Sequence, residues 1–289
     1  MPLRESVVTI VGMGLMGGSL GMALVRENAC RHVRALVRRE ETARDAVSLR
    51  AAHDAVQDPQ DALNDSDLVV IATPVRTIER QVSELAAFMR PGSVMTDMGS
   101  VKRTIVDAMK RLPQDVRAIG GHPMCGKETS GIQSADPDLF RDKVWVMTPV
   151  NEGGEAARDL VTEMIASVAA KPVMMPAEEH DVAVACISHL PYLLACTLVG
   201  VAEETGKDSA AVWELASSGF KDTSRVAAGD LTMMMDILSA NTENVLLMLG
   251  RAGSKLARYT ELLLRGHEEE LTRELAEARD RRTGMFPGG

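Results

Sequence analysis

Aromatic residues are scarce in this chain: two Trp, two Tyr and four Phe among 289 residues. The core must therefore be aliphatic, helped by 18 methionines. Cysteine is also sparse. Cys30, Cys125, Cys186 and Cys196 form no C-x-x-C pair and show no zinc spacing, so reduced thiols in a cytoplasmic protein and no metal site are expected. Basic residues do not dominate. The net charge of −9 and pI near 5.3 argue against nonspecific attachment to nucleic acid or to an anionic membrane, although a local basic patch can still hold a phosphate. No basic segment followed by an apolar one opens the chain, so no secretory signal is expected. Repeats and low-complexity runs are missing as well. One uncharged stretch, 182–202, imitates a membrane span. It contains Ser188, His189, Pro191, Tyr192 and Gly200 and has acids on both sides, so it reads as a buried helix of a soluble protein without membrane contact.

What is present is an alternation of strands and helices. Val7 to Val11 is a β-branched run ending at glycines, and a helix is expected over 16–27. Further strands are expected at 33–37, 67–72, 93–97 and 143–147, with helices between them. This order implies a doubly wound, mostly parallel α/β sheet of Rossmann type. The pattern changes between Pro172 and Pro176. Beyond it only helices are expected, over about 178–204, 208–217, 230–238 and 241–280. The chain is accordingly divided into a dinucleotide-binding domain, 1–175, and an all-α substrate and dimerisation domain, 176–289. Leu249, Leu256 and Leu263 recur every seven residues. An unbroken helix there would span roughly 60 Å, with more apolar stripe than one chain can cover, unless Gly250, Gly253 or Gly266 breaks it. A homodimer is expected. The tail from Arg281 reads as frayed.

The first strand runs into Gly12-Met13-Gly14-Leu15-Met16-Gly17. A G-x-G-x-x-G between a strand and a helix marks a dinucleotide site. Gly12 makes the tight turn, Gly14 lets the backbone approach a pyrophosphate, Gly17 permits close helix packing, and the helix N-terminus at Leu15 and Met16 faces the phosphate. Thr73 and Pro74 end a later strand and line the same pocket. An NAD site usually carries an acid at the end of the second strand. Here Arg38 stands there, able to neutralise a 2′-phosphate, so NADP is favoured and NAD remains possible.

Three further segments carry chemistry. Asp97-Met98-Gly99-Ser100-Val101-Lys102 follows a strand and opens a helix. Ser100 is placed where a hydroxyl meets substrate and nicotinamide, or else it is an ordinary N-cap. Gly120-Gly121-His122-Pro123-Met124-Cys125-Gly126-Lys127-Glu128-Thr129 reads as a loop offering His122 as a base near neutral pH. Cys125 raises the alternative of a Cys–His nucleophile pair, which nothing else supports. In Ser188-His189-Leu190-Pro191-Tyr192, Pro191 frees the carbonyl of Ile187 and kinks the helix, so His189 lines a cleft or is a hydrogen-bonded core residue. His180, among acids at a helix start, needs no function. Ser217 to Arg225 joins two helices and concentrates Lys221 and Arg225, the latter suited to a carboxylate.

Together these segments resemble the prephenate/arogenate dehydrogenase family, in order and spacing, over roughly residues 7–245. Arg38 and Tyr192 resemble the NADP-using arogenate dehydrogenases of cyanobacterial type. The resemblance implies oxidative decarboxylation of prephenate or arogenate, a small-molecule substrate, in tyrosine biosynthesis. His122 would take the C4 hydroxyl proton and Ser100 would bond that hydroxyl. Arg225 would hold the ring carboxylate, with His189, Tyr192 and Lys221 around the substrate. Many prephenate-using members carry a second histidine where this chain has Tyr192, which leaves the substrate open. Two other readings stand beside it: a dehydrogenase of β-hydroxyacid or imine reductase type, and a noncatalytic NADP-binding sensor.

Overall fold

A computed structural model describes residues 1–127, 129–151 and 154–286. Glu128 of the His-Pro segment and the last three residues of the tail lie outside the described residues.

Eight strands form one sheet: β1 (Val7–Val11), β2 (His32–Leu36), β3 (Asp54–Val56), β4 (Leu68–Ile71), β5 (Val94–Asp97), β6 (Arg117–Pro123), β7 (Val144–Pro149) and β8 (Lys171–Met174). Their order is β3-β2-β1-β4-β5-β6-β7-β8. Pairing is parallel throughout except between β6 and β7. The chain reverses direction across the sheet between β1 and β4, and ligands of open α/β sheets bind at such a switch point, beyond the carboxyl ends of the strands.

The helices among the strands are α1 (Leu15–Arg26), α2 (Glu40–Ser48), α3 (Pro59–Leu63), α4 (Val75–Ala86), α5 (Arg103–Met109) and α6 (Glu155–Ser167). Alternate strand residues face opposite sides, and each side has its own apolar cluster. Val8, Ile10, Leu68 and Val70 pack with Leu20 and Leu24 of α1 and Met164 of α6. Val11, Val69 and Ile71 pack with Ile78 and Val82 of α4 and Ile105 of α5.

After β8 come α7 (Ala177–Val184), α8 (Leu190–Gly206), α9 (Ala211–Glu214), α10 (Ser218–Ser224), α11 (Leu231–Ala240), α12 (Thr242–Arg265) and α13 (Glu268–Met285). Ala177, Tyr192, Met234 and Ile237 join the second cluster, which binds α7, α8 and α11 to the α4–α5 side of the sheet. The first compact unit consequently runs from Met1 to Thr242, and Glu243–Gly289 forms a second. In that second unit Arg258 pairs with Glu270 and Glu274, joining α12 to α13.

Several expectations are corrected. Strands β3, β6 and β8 were not anticipated, and His122 lies in β6 rather than a loop. Gly-Gly-His-Pro carries turn-forming residues, but Arg117–Ile119 pair with β5 and Gly120–Pro123 pair with β7, which holds the segment extended. Ser218–Ser224 is a helix, not a connection. Ser100 is no N-cap, because α5 starts at Arg103 with Lys102 in the capping position. The long last helix is broken at Gly266, which takes φ +66, while Gly250 and Gly253 stay helical. The tail read as frayed is helical to Met285. The kink at Pro191 takes the form of a π-helical turn, Ala185–His189, before α8. By length and composition Ala177–Gly206 is apolar enough to cross a membrane. Instead of a buried helix it presents Ile187 and Val201 at the surface of the single chain, 65% and 56% exposed.

Gly17 tests this packing. A Cβ there would lie 2.0 Å from the carbonyl oxygen of Gly12, a backbone atom that cannot move without opening the β1–α1 turn. Gly17→Ala should lose about 1–3 kcal/mol in urea unfolding, and wild-type stability would show that the turn gives way freely.

Candidate active site

The glycine turn stands at the carboxyl end of β1. Gly12 adopts φ +92, and a Cβ there would meet Thr73 Cγ2 at 2.7 Å. Its N–H donates to the carbonyl of Leu36 at 3.0 Å, which ties the turn to the end of β2. Gly14 caps α1 with open space on its Cβ side. The backbone there can be approached closely, and the unpaired N–H groups of the first turn, at Leu15 and Met16, can receive an anion. These features fit a dinucleotide pyrophosphate. Thr73, at the end of β4, donates to Gln81 at 2.6 Å, and Pro74 precedes α4. Arg38 follows the end of β2, exposed and without an ion pair among the described residues.

The ends of β5 and β6 are joined by a buried ion pair. Asp97 accepts from the N–H groups of Gly99 at 2.7 Å and Gly121 at 3.0 Å. Lys102 Nζ contacts Asp97 directly and donates to the Gly121 carbonyl at 2.7 Å. Both side chains are fully buried. The loop carrying Ser100, itself half-buried, is thereby fastened against the residue preceding His122. Burial lowers the Lys102 pKa, and the Asp97 charge opposes this.

His122 is half-buried. Its Nδ1 lies 2.8 Å from His180 Nε2, and His180 Nδ1 lies 2.7 Å from Asp181 Oδ1. The same carboxylate caps α5, accepting from the N–H groups of Lys102 at 2.7 Å and Arg103 at 2.9 Å. Asn241 donates to the Asp181 carbonyl at 2.7 Å and sits 3.4 Å from His189 Nδ1. Burial, then the neighbouring charges of His180, Lys102 and His189, hold the His122 pKa well below 6.5. Burial pushes His189 down to about 4, against the Asp181 charge. Both imidazoles are therefore neutral at pH 7. Burial pushes the Cys125 thiol up to about 11, so it is no thiolate partner for His122.

The expected site residues other than Arg38 fall into four groups. Gly12, Gly14, Leu15, Met16, Gly17, Thr73, Pro74, Ser100 and His122 gather along the carboxyl ends of the parallel strands β1, β4, β5 and β6. His189 joins His122 through Asn241, Asp181 and His180. Lys221 and Arg225 are exposed on and just after α10, which packs against α8. Tyr192 is buried in the second apolar cluster, its hydroxyl bonded with Cys196. His180 and Asp181 were missed, His180 having been read as needing no function. Their signal was periodic: Ala177, His180, Asp181 and Val184 are the buried face of α7, an i, i+3, i+4, i+7 stripe in which two positions are polar.

Comparison with known proteins is consistent along the chain. Residues 20–174 match the family model described as prephenate dehydrogenase, nucleotide-binding domain, and residues 176–277 match prephenate dehydrogenase, dimerization domain. A prephenate dehydrogenase of Lactococcus lactis is 30% identical over 82% of this chain, and the match spans 65% of that protein's length. The crystal structure of prephenate dehydrogenase from A. aeolicus, in complex with hydroxyphenyl propionate and NAD+, superposes with a TM-score of 0.91 at 29% identity, covering 99% of this chain and all of that one. Synechocystis arogenate dehydrogenase superposes with a TM-score of 0.83 at 28% identity, covering 97% of this chain and 100% of that one.

The depressed pKa of His189 predicts a pH effect on stability. Below pH 6.5 the unfolded chain takes up a proton that folded His189 refuses until about pH 4. The stability this residue preserves is complete above pH 6.5 and falls as pH drops through that window, by roughly 2–3 kcal/mol between pH 7.5 and 4.5. Urea unfolding of His189→Gln should show a smaller acid loss than the wild type by that amount. Equal losses would mean that His189 takes up protons freely in the folded chain.

Proposed function

Because the chain belongs to the prephenate dehydrogenase family, we propose that it oxidatively decarboxylates prephenate, arogenate or both, with NAD(P) as hydride acceptor, in the making of tyrosine. It is an NAD(P)-dependent oxidoreductase, and family membership sets aside the β-hydroxyacid dehydrogenase, imine reductase and sensor readings. The observation that carries the proposal is His122: a half-buried imidazole kept unprotonated at neutral pH, at the same edge of the sheet as the glycine turn.

The turn at Gly12, Gly14 and Gly17 would hold the pyrophosphate at the α1 N-terminus, between β1 and β4. When bound, the nicotinamide supplies the hydride acceptor. His122 accepts the C4 hydroxyl proton as the C4 hydrogen departs with its electron pair. The bond to the ring carboxylate breaks, CO₂ is released, and the ring becomes aromatic. Ser100 bonds the hydroxyl and keeps it directed at the imidazole. Arg225 holds the ring carboxylate, Lys221 adds positive charge nearby, and His189 and Tyr192 shape the pocket from the helical side. Residues 1–175 would thus serve the cofactor and 176–289 the substrate and the partner subunit. The matched dimerization domain supports a homodimer. So do Leu249, Leu256 and Leu263, which are 38%, 58% and 68% exposed in the single chain. The relatives are biosynthetic enzymes, in keeping with a cytoplasmic place.

Arg38 supports a preference for NADP. It is an exposed cation, without an ion pair among the described residues, just beyond the strand end whose Leu36 carbonyl receives the Gly12 N–H. A 2′-phosphate there would gain a charge-assisted contact, whereas a 2′-hydroxyl would find no acid.

The experiment is a four-way assay of prephenate and arogenate with NAD and NADP. At least one pairing should release CO₂ with reduction of the cofactor, and failure of all four would overturn the proposal. His122→Asn should lower kcat by roughly 10²–10⁴-fold while cofactor affinity changes little. The acid limb of wild-type kcat/KM should lie below pH 6.5 and be missing in this variant. Near-normal kcat would remove His122 as the base. Arg38→Asp should move the kcat/KM ratio towards NAD, and an unchanged ratio would make Arg38 an ordinary surface charge.

A further inference from the structure

We propose that His180 and Asp181 are positioning residues that fix His122 in the tautomer carrying its proton on Nδ1, leaving Nε2 as the acceptor of the substrate proton. The inference rests on the reading of His122 as the base and adds how that base is prepared.

Proton inventory along the chain of contacts decides the tautomer. Asp181 already accepts two backbone N–H groups at the start of α5. A carboxylate so placed is an acceptor only. The contact at 2.7 Å from its Oδ1 to His180 Nδ1 therefore needs the proton on that nitrogen. A neutral His180 then presents a bare lone pair at Nε2. The 2.8 Å contact to His122 Nδ1 can be a hydrogen bond only if His122 Nδ1–H donates. A neutral imidazole has one proton, so Nε2 of His122 is bare, and it has no partner among the described residues. The less common tautomer is held in place by a ring that is itself held by a charge.

The same chain stabilises the charge that the reaction creates. Proton uptake at Nε2 makes His122 a cation whose Nδ1–H still points at His180, with the Asp181 carboxylate one ring further on. Against this act Lys102 and, whenever they are protonated, His180 and His189, whose charges disfavour a cation at His122. Asp97 is occupied by Lys102, the Arg103 N–H is committed to Asp181, and Glu178 and Glu179 on α7 itself are exposed. Asp181 is thus the anion to which the nascent imidazolium is joined by hydrogen bonds. Its position is over-determined by the α5 cap and by Asn241 on its backbone carbonyl, and His180 is buried at 1% exposure.

His180→Phe removes the acceptor while keeping a ring in the packing, and His180→Gln restores an acceptor without the link to Asp181. The Phe variant should lose about 10²-fold or more in kcat, with KM and the Kd for NADPH within about twofold of wild type. Its acid limb should shift to lower pH, because the cation has lost its anion. The Gln variant should recover part of kcat but keep the shifted limb. Unchanged kcat and acid limb in His180→Phe, alongside an inactive His122→Asn, would overturn this proposal and leave the base intact. An active His122→Asn would instead overturn the base and this proposal with it. Should His180→Phe fail to fold, ¹⁵N-histidine spectra of the wild-type protein, with His122 assigned by its loss in His122→Asn, decide the question. A proton on Nδ1 supports the proposal, and a proton on Nε2 overturns it.

Discussion

A carboxylate and an ammonium without solvent contact hold the ends of two neighbouring strands together. Asp97 and Lys102 lie five residues apart, yet both engage Gly121 on the adjoining strand, so the β5–α5 connection cannot be placed without also placing His122. Such a pair does not maximise stability. Removing two charges from water costs several kcal/mol per ion, and an apolar replacement of equal volume often does as well. What the pair contributes is direction: each oxygen of Asp97 has a donor, and among the described residues Lys102 has acceptors at Asp97 and Gly121. Losing either partner alone would strand a charge where no water reaches it.

The same ammonium sets the electrostatics of the crevice. Burial first, then the charges of His180 and Lys102, keep the His122 imidazole unprotonated. A base in this setting starts unprotonated, but it is a reluctant acceptor unless something offsets the charge it acquires. A substrate carrying carboxylates does so from the crevice. Asp181 does so from within, and its cap on α5 makes that support part of the fold.

The helices beyond β8 answer to a different constraint. The inner residues of α7, α8 and α11 join the α4–α5 side of the sheet, while Ile187 and Val201 stay at the surface. A helix apolar on more than one side must bury the remainder against another body, and residues 176–277 match a family model described as a dimerization domain.

Features whose cause is local were legible in the amino-acid order. The β1–glycine–α1 unit follows from a β-branched run and three glycines at fixed spacing, because steric limits on φ and on Cβ act within a few residues. The alternation of strand and helix followed from periodicity, and with it a parallel sheet whose carboxyl edge carries Ser100. Features that depend on distant partners were not legible. β6 is a strand only because β5 and β7 flank it, and Tyr192 turned out to fill an apolar cluster. The pairing of His122 with His180 and Asp181 joins residues 58 positions apart, and nothing in the acidic run at Glu178 and Glu179 announces it except a buried face with two polar positions. Sequence determines which groups exist and how each short segment prefers to bend. The protonation and tautomer of a buried imidazole depend on which charges and lone pairs the folded chain brings within 3 Å of it, and only the tertiary structure decides that.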